Sequence, residues 1–381
     1  MLRKVVFSTL MLMALLAVPL SGALAQGGPP VFCGDLSPED CEILTQSQAA
    51  MTALESVAFD LEMTFSASGE GLDLPEGAES FTMLIGAEGA LAFDPEMIAA
   101  LQSFAEDPAS LMANLSEVYG DLLRSFSGNV TLNMALPPEM MADVMPGMES
   151  LALELRMAEG VFYVNVGSLM PAESGSQMPS WIGVDVATLY QNMLAESMAS
   201  AGDMEELFSS DLFSSMYDPE FLGQFVTISR LGDEEMMGQT MAVFHTSLDY
   251  AALIASDAFA DYLAAVIAMQ GEAAQDMPEN FDEIMAAIVG GLSVESTQWI
   301  GLDDYYVHHV EVDMAFSMDP ALLAELAPEE KAGDLPGPFT LTFDLTGDLS
   351  DFNEPVEVTI PENAQVIDPM MFMPTPPAVN Q

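Results

Sequence analysis

The side chains able to do chemistry in this chain are three histidines, two cysteines, 31 methionines and 60 carboxylates, against six lysines and arginines. His308 and His309 are adjacent in a run that reads as a strand, so they are expected on opposite faces and cannot take one ion from the same side. His245 stands alone on another strand, and H-E-x-x-H is absent. Carboxylates could hold calcium, which takes hard oxygen ligands. The acidic candidates are Asp203, Glu205 and Glu206, Asp233 to Glu235, and Asp303-Asp304, and none has the spacing of a calcium-binding loop. Thioethers select Cu(I), and methionines cluster at 140, 141, 145 and 148, at 236 and 237, and at 370, 371 and 373. Methionine also replaces leucine throughout the periodic segments, where it serves as hydrophobic filler. No metal ligand set is singled out.

Catalytic patterns are equally thin. There is no G-x-S-x-G, and Gly147-Met148-Glu149-Ser150 lacks a strand-to-helix context and a histidine partner. Nucleotide-binding glycine motifs are missing, and no carboxylate pair stands out for glycoside hydrolysis. The chain reads as a non-enzyme without a cofactor. Cys33 and Cys41 are expected to pair in an oxidising compartment. So short a loop contributes about 2–3 kcal/mol and ties down the N-terminal region. Cys33 follows Pro30-Val31-Phe32 rather than small residues, so it is not read as a lipidation site.

That compartment follows from residues 1–25: a basic head at Arg3-Lys4, an apolar run from Val5 to Leu20 and a small-x-small end at Ala23-Leu24-Ala25. This is the anatomy of a secretory signal peptide, and no later stretch is apolar for long enough to span a membrane. The expected location is secreted, extracytoplasmic or cell-surface, in a bacterium. The formal net charge is −54. Outside the leader the basic residues are Arg124, Arg156, Arg230 and Lys331. Such a surface repels nucleic acid and anionic headgroups. With half its residues hydrophobic, the chain has ample apolar surface to fold.

The elements that must position any site alternate between two periods. Val57, Phe59, Leu61, Met63 and Phe65 repeat every second residue, as in a half-buried strand. Further strands are expected at 80–93, with a bend at Gly86 or Gly89, and at 130–136. A hairpin is expected over 150–166 turning around Ala158-Glu159-Gly160, and a short strand from Trp181. A second hairpin is expected over 225–248 turning at Gly232-Asp233-Glu234, followed by strands at 292–300, 305–318, 339–345 and 356–360. Helices are expected at 44–54, 94–105, 108–123, 185–198, 250–269 and 280–289. Strands and helices do not alternate one for one, so the class is α+β with mostly antiparallel pairing. The expected divisions are a signal peptide at 1–25, a disulfide-stapled lead-in and helix at 26–53, one α+β domain with helical insertions at 54–361, and a flexible Pro/Met-rich tail at 362–381.

Three short patterns carry a resemblance. Gly160-Val161-Phe162-Tyr163-Val164-Asn165 precedes a loop and Trp181-Ile182-Gly183-Val184-Asp185. A hairpin ends in His245-Thr246-Ser247-Leu248. Asp351-Phe352-Asn353-Glu354-Pro355-Val356 then leads to Pro361. The order from Leu54 to Pro361 resembles the LolA/LppX-like superfamily of exported bacterial proteins and lipoproteins. The resemblance implies a strongly curved antiparallel sheet, a half-barrel, with helices packed across its concave face. It also implies an apolar cavity between them that carries lipid or acyl chains, with no catalytic residues. This chain is longer than the usual family domain and lacks the lipidation signal.

The residues expected to line such a cavity are Phe59, Leu61, Phe65, Phe162, Val164, Met241, Val243, Val310 and Val312; the same residues would serve as plain core. The function that follows is an exported carrier for a hydrophobic small molecule or lipid. The alternative is an envelope-associated module with a solid core, whose acidic surface contacts envelope components or is bridged by divalent cations.

Overall fold

Alternation of apolar and polar side chains is converted into strands along most of the chain. The computed structural model describes residues 31–69, 80–94, 115–135, 150–169, 180–200, 223–257, 260, 290–319 and 337–367. The strands are β1 (Ser56–Gly69), β2 (Ser80–Ala92), β3 (Ser127–Ala135), β4 (Leu151–Ala158), β5 (Val161–Asn165), β6 (Trp181–Asp185), β7 (Val226–Met236), β8 (Gln239–Leu248), β9 (Leu292–Gly301), β10 (Val307–Met318), β11 (Phe339–Ser350) and β12 (Gln365–Ile367). The helices are α1 (Pro38–Thr52), α2 (Leu115–Ser125), α3 (Val186–Ser200) and α4 (Tyr250–Ile254).

The class is α+β, but the half-barrel is not formed. Twelve strands join in the order β12-β6-β5-β4-β3-β2-β1-β11-β10-β9-β8-β7, an open sheet that is neither closed nor strongly curled. Curvature in a sheet is made by bulges and glycine kinks. From Leu84↔Ala135 to Ala92↔Ser127, β2 pairs with β3 without a register shift, so no bulge lies at Gly86 or Gly89. The register shifts are in β7, between Arg230 and Gly232, and in β10, between Val307 and His309. Without a half-barrel there is no concave face for helices to cross. Pairing is mixed, because β12 lies parallel to β6.

Turn chemistry explains two local outcomes. Glu159 and Gly160 both have positive φ, the two-residue turn that suits a tight hairpin, and it lies where expected. The β7–β8 turn instead falls at Met237-Gly238, also both at positive φ. Gly232-Asp233-Glu234 remains within β7 at the bulge, so the expected turn there is corrected. The expected strand at Val356–Ile360 is also absent, and this stretch has no regular secondary structure. Pro355 and Pro361 at its flanks lack the N–H a ladder needs. Helix α1 starts earlier than expected, at Pro38, because Ser37 accepts the Asp40 N–H as an N-cap. The expected helices at 94–105 and 280–289, and most of 250–269, lie outside the described residues.

Two units divide the contacts. The first comprises Met1–Ala53, Met63–Thr82 and Ser210–Asp348; the second comprises Leu54–Glu62, Met83–Ser209 and Leu349–Gln381. In the first, Tyr250 of α4 is buried with Val294, Val312 and Met314, and Leu253 packs against them. Ala67, Phe316 and Leu341 extend that core. Cys33 and Cys41 form the expected disulfide beside α1. In the second unit, α2 and α3 pack on each other, with Arg124 donating to Gln191 at 3.2 Å.

Candidate functional site

Directly paired residues on adjacent strands share a face of the sheet. The register from β2 to β6 therefore sorts the second unit's side chains into two faces. One face carries Ile85, Ala87, Gly89 and Leu91; Gly128, Val130, Leu132 and Met134; Leu151, Leu153, Leu155 and Met157; Phe162 and Val164; Ile182 and Val184. Every position is apolar or glycine. Yet only Ala87, Gly128 and Leu155 are buried, and the rest are half-buried. Phe59 of β1 lies over Gly89, where an added Cβ would stand 3.1 Å from its ring. That Cβ would also come within 2.2 Å of the Asn129 carbonyl oxygen, so the position admits only glycine.

The opposite face carries Asn129, Thr131, Asn133, Glu154, Arg156, Tyr163, Asn165, Trp181 and Asp185. Arg156 organises it. Its guanidinium donates to Glu154 at 2.6 Å and to the Thr359 carbonyl at 2.7 Å, and lies 4.7 Å over the Trp181 ring. The Arg156 hydrogen bond, against the opposing effect of burial, holds the Glu154 carboxyl below its ordinary range. Burial, then the charge of Glu159, pushes the Tyr163 hydroxyl up. The Tyr163 ring lies over Gly183, which has no side chain to displace it. The segment after β11 thus crosses the polar face as a strap. Asp351 and Asn353 take positive φ. Asn353 donates its N–H to the Ser56 carbonyl and accepts from the Glu55 N–H, while the Ser56 hydroxyl donates to the Glu354 carbonyl. The Tyr/Trp hairpin and the D-F-N-E-P run are therefore structural.

The nine residues expected to line a cavity do not gather on one surface. Phe162 and Val164 lie on the apolar face of the second unit, with Phe59 against it, and Leu61 is half-buried on β1. Phe65, Val310 and Val312 belong to the first unit's core clusters. Met241 and Val243 pair opposite Gly301 and Trp299 and pack with Trp299, while Val310 and Val312 pair with Gln298 and Ser296 on the other face. The apolar face of the second unit also carries Ile85, Leu132, Met134, Leu151, Leu153, Met157, Ile182 and Val184, which the sequence reading did not single out. Their two-residue period was the available signal.

The remaining chemistry-bearing side chains are paired locally. His308 meets Asp304 at 3.0 Å, and His309 meets Asp348 at 2.6 Å and the Trp299 ring at 4.7 Å between centroids. The bulge in β10, rather than simple alternation, sets their directions. Asp313 pairs across both Asp344 and Glu295, an acidic row on the first unit's sheet. Burial first, then the charge of Asp313 and a hydrogen bond with it, pushes the Asp344 carboxyl up. Among the described residues no group of His, Cys, Asp or Glu is arranged to hold a metal. Open depressions among the described residues include two, the second of them touching the apolar face at Ala87 and Met134. One of about 460 Å3 is at Gly69, Met318 and Phe339 in the first unit. The other, of about 320 Å3, is edged by Asp60, Glu62 and Glu88 in the second.

No protein-family model and no curated protein matches the chain. Among solved structures it is similar to LprF from Mycobacterium bovis, at 12% identity over 88% of this chain and 99% of that one, with a TM-score of 0.31. The lipoprotein LppX from Mycobacterium tuberculosis matches at 12% identity over 85% and 100%, with a TM-score of 0.29. A LolA superfamily protein from Nitrosomonas europaea matches at 7% identity over 83% and 94%, with a TM-score of 0.15.

Proposed function

We propose that the protein is an exported, non-enzymatic binding protein whose second unit holds a hydrophobic ligand, a lipid or acyl chain, against the apolar face of β2–β6. The observation that carries this reading is the unbroken apolar character of that face together with its half-burial. None of these side chains is among the exposed large hydrophobics, so the face is open only in part, and sites for apolar ligands are lined mainly by such half-covered apolar side chains. In the first unit the comparable side is closed by Tyr250 and Leu253 into a buried core. The secretory leader supports export. Phe59, Phe162 and Val164 are the ligand contacts shared with the expectation from sequence.

Native mass spectrometry of the protein from its own host, followed by solvent extraction, tests the reading. An apolar adduct that extraction removes, and that returns on adding lipid, is the expected result. Protein with no extractable adduct and no uptake of lipid overturns it.

A second reading, an envelope-associated acidic module, is favoured by the exposed row of Glu295, Asp313 and Asp344. Its signature is attachment to cells that calcium removal or raised salt releases, with no extractable ligand.

A further inference from the structure

We propose that the ligand of the apolar face is a neutral lipid, and that anionic amphiphiles of the same chain length are excluded. This rests on the binding role above and adds the charge of the headgroup. An anion bound in a protein needs a cation or several aligned donors, because an unpaired charge removed from water is costly. Outside the leader the sequence contains four basic side chains: Arg124, Arg156, Arg230 and Lys331.

The three arginines are committed to internal contacts. Arg124 bonds Asp121 and Gln191, both at 3.2 Å, joining α2 to α3. Arg156 is held by Glu154, the Thr359 carbonyl and the Trp181 ring, and its register places it on the polar side, away from the apolar face. Arg230 belongs to the first unit. There it bonds Asp40 at 3.2 Å and the Val243 carbonyl at 3.1 Å, pairs with Asp233, and lies 4.9 Å from the Phe244 ring. Lys331 lies outside the described residues. The apolar face itself offers no charged or hydrogen-bonding side chain. Around it is the field of a chain of net charge −54, which repels anions before contact. A carboxylate or phosphate headgroup therefore meets repulsion at a distance and no cationic partner among the described residues of this face. A hydroxyl or ester headgroup escapes the repulsion and meets only the smaller cost of an unpaired neutral polar group.

The test is displacement of a neutral apolar fluorophore from the mature protein by dodecanol and by laurate, which share one chain and differ in charge. At about pH 8 and low salt, dodecanol displaces the probe and laurate is at least about 10-fold weaker. At about pH 4 roughly half of the laurate is neutral, because an ordinary carboxylic acid has a pKa near that value, and the gap narrows. Laurate binding as tightly as dodecanol at about pH 8 overturns the inference. If Lys331→Gln abolishes that laurate binding, the lysine is the missing cation, and the inference is overturned for that stated reason. Failure of the fluorophore and of both competitors to bind overturns the binding role itself, a different outcome from loss of charge selectivity.

Discussion

Replacing Arg156 with alanine removes the contacts that pin the strap to the polar face of the second unit. The guanidinium donates to Glu154 at 2.6 Å and the Thr359 carbonyl at 2.7 Å, and lies 4.7 Å over Trp181. A hydrogen bond involving a charged group contributes about 1.5–3 kcal/mol, and a cation over a partly exposed ring about 0.5–1 kcal/mol. The ion pair is 25% and 41% exposed at its two side chains, so solvent screening keeps its own share small. These contacts share one group and do not simply add; the expected loss is about 2–3 kcal/mol. The pH dependence has a definite sign. The Glu154 carboxyl is lowered chiefly by its Arg156 hydrogen bond, so that contribution is present above the unfolded pKa and lost as pH falls through the folded one. The gap between wild type and Arg156→Ala is therefore widest near neutrality and narrows in acid. Urea unfolding of both proteins at about pH 7 and about pH 3.5 measures it. Arg156→Lys keeps the charge but loses the flat stacking and the forked donors, and falls between them. An alanine variant within about 0.5 kcal/mol of wild type, or a gap that widens in acid, refutes the strap's dependence on this residue.

Three other outcomes follow from the same geometry. Reducing the Cys33–Cys41 bond, or replacing both cysteines with serine, opens a loop with sequence separation 8 and lowers stability by about 2.5 kcal/mol, read as a lower melting temperature. Asp344→Asn removes the charge facing Asp313. Because the Asp344 pKa is raised, its neutral form contributes stability at low pH that is lost as pH rises through the folded value. The asparagine variant is then more stable by about 0.5 kcal/mol at neutral pH, with no advantage well below the carboxylate range in paired thermal melts. Gly89→Ala drives a Cβ against the Asn129 backbone and costs about 1–3 kcal/mol by denaturant unfolding, a position where alanine elsewhere in a strand is harmless.

The sequence reveals periods but not partners. The alternation of Val57 to Phe65, the hairpin closing at Glu159-Gly160 and the pairing of Cys33 with Cys41 are local properties, and each is legible without the fold. Which face a strand presents is not local. Val243 and Val310 both lie in alternating runs, yet pairing sends Val243 to the side of Trp299 and Val310 to the side of Gln298. A bulge such as that between Val307 and His309 reverses every later assignment on its strand. The apolar face of β2–β6 was half visible. Phe162 and Val164 belong to it, but their union with Leu132 and Leu153 exists only through the β3–β4–β5 register. Sheet curvature was misjudged because the half-barrel was carried over from short motifs, and local motifs do not set the twist of a twelve-stranded sheet.

Neighbouring residues of β3 give the most direct test of the central claim. Leu132 lies on the apolar face, and Thr131, its chain neighbour, on the polar one. Binding of a neutral apolar fluorophore is measured for wild type, Leu132→Gln and Thr131→Gln, with unfolding curves for each. A ligand held on this face predicts at least about 10-fold weaker binding for Leu132→Gln and unchanged binding for Thr131→Gln, all three proteins remaining folded. Equal binding by all three folded proteins, or the same loss for both variants, would contradict it.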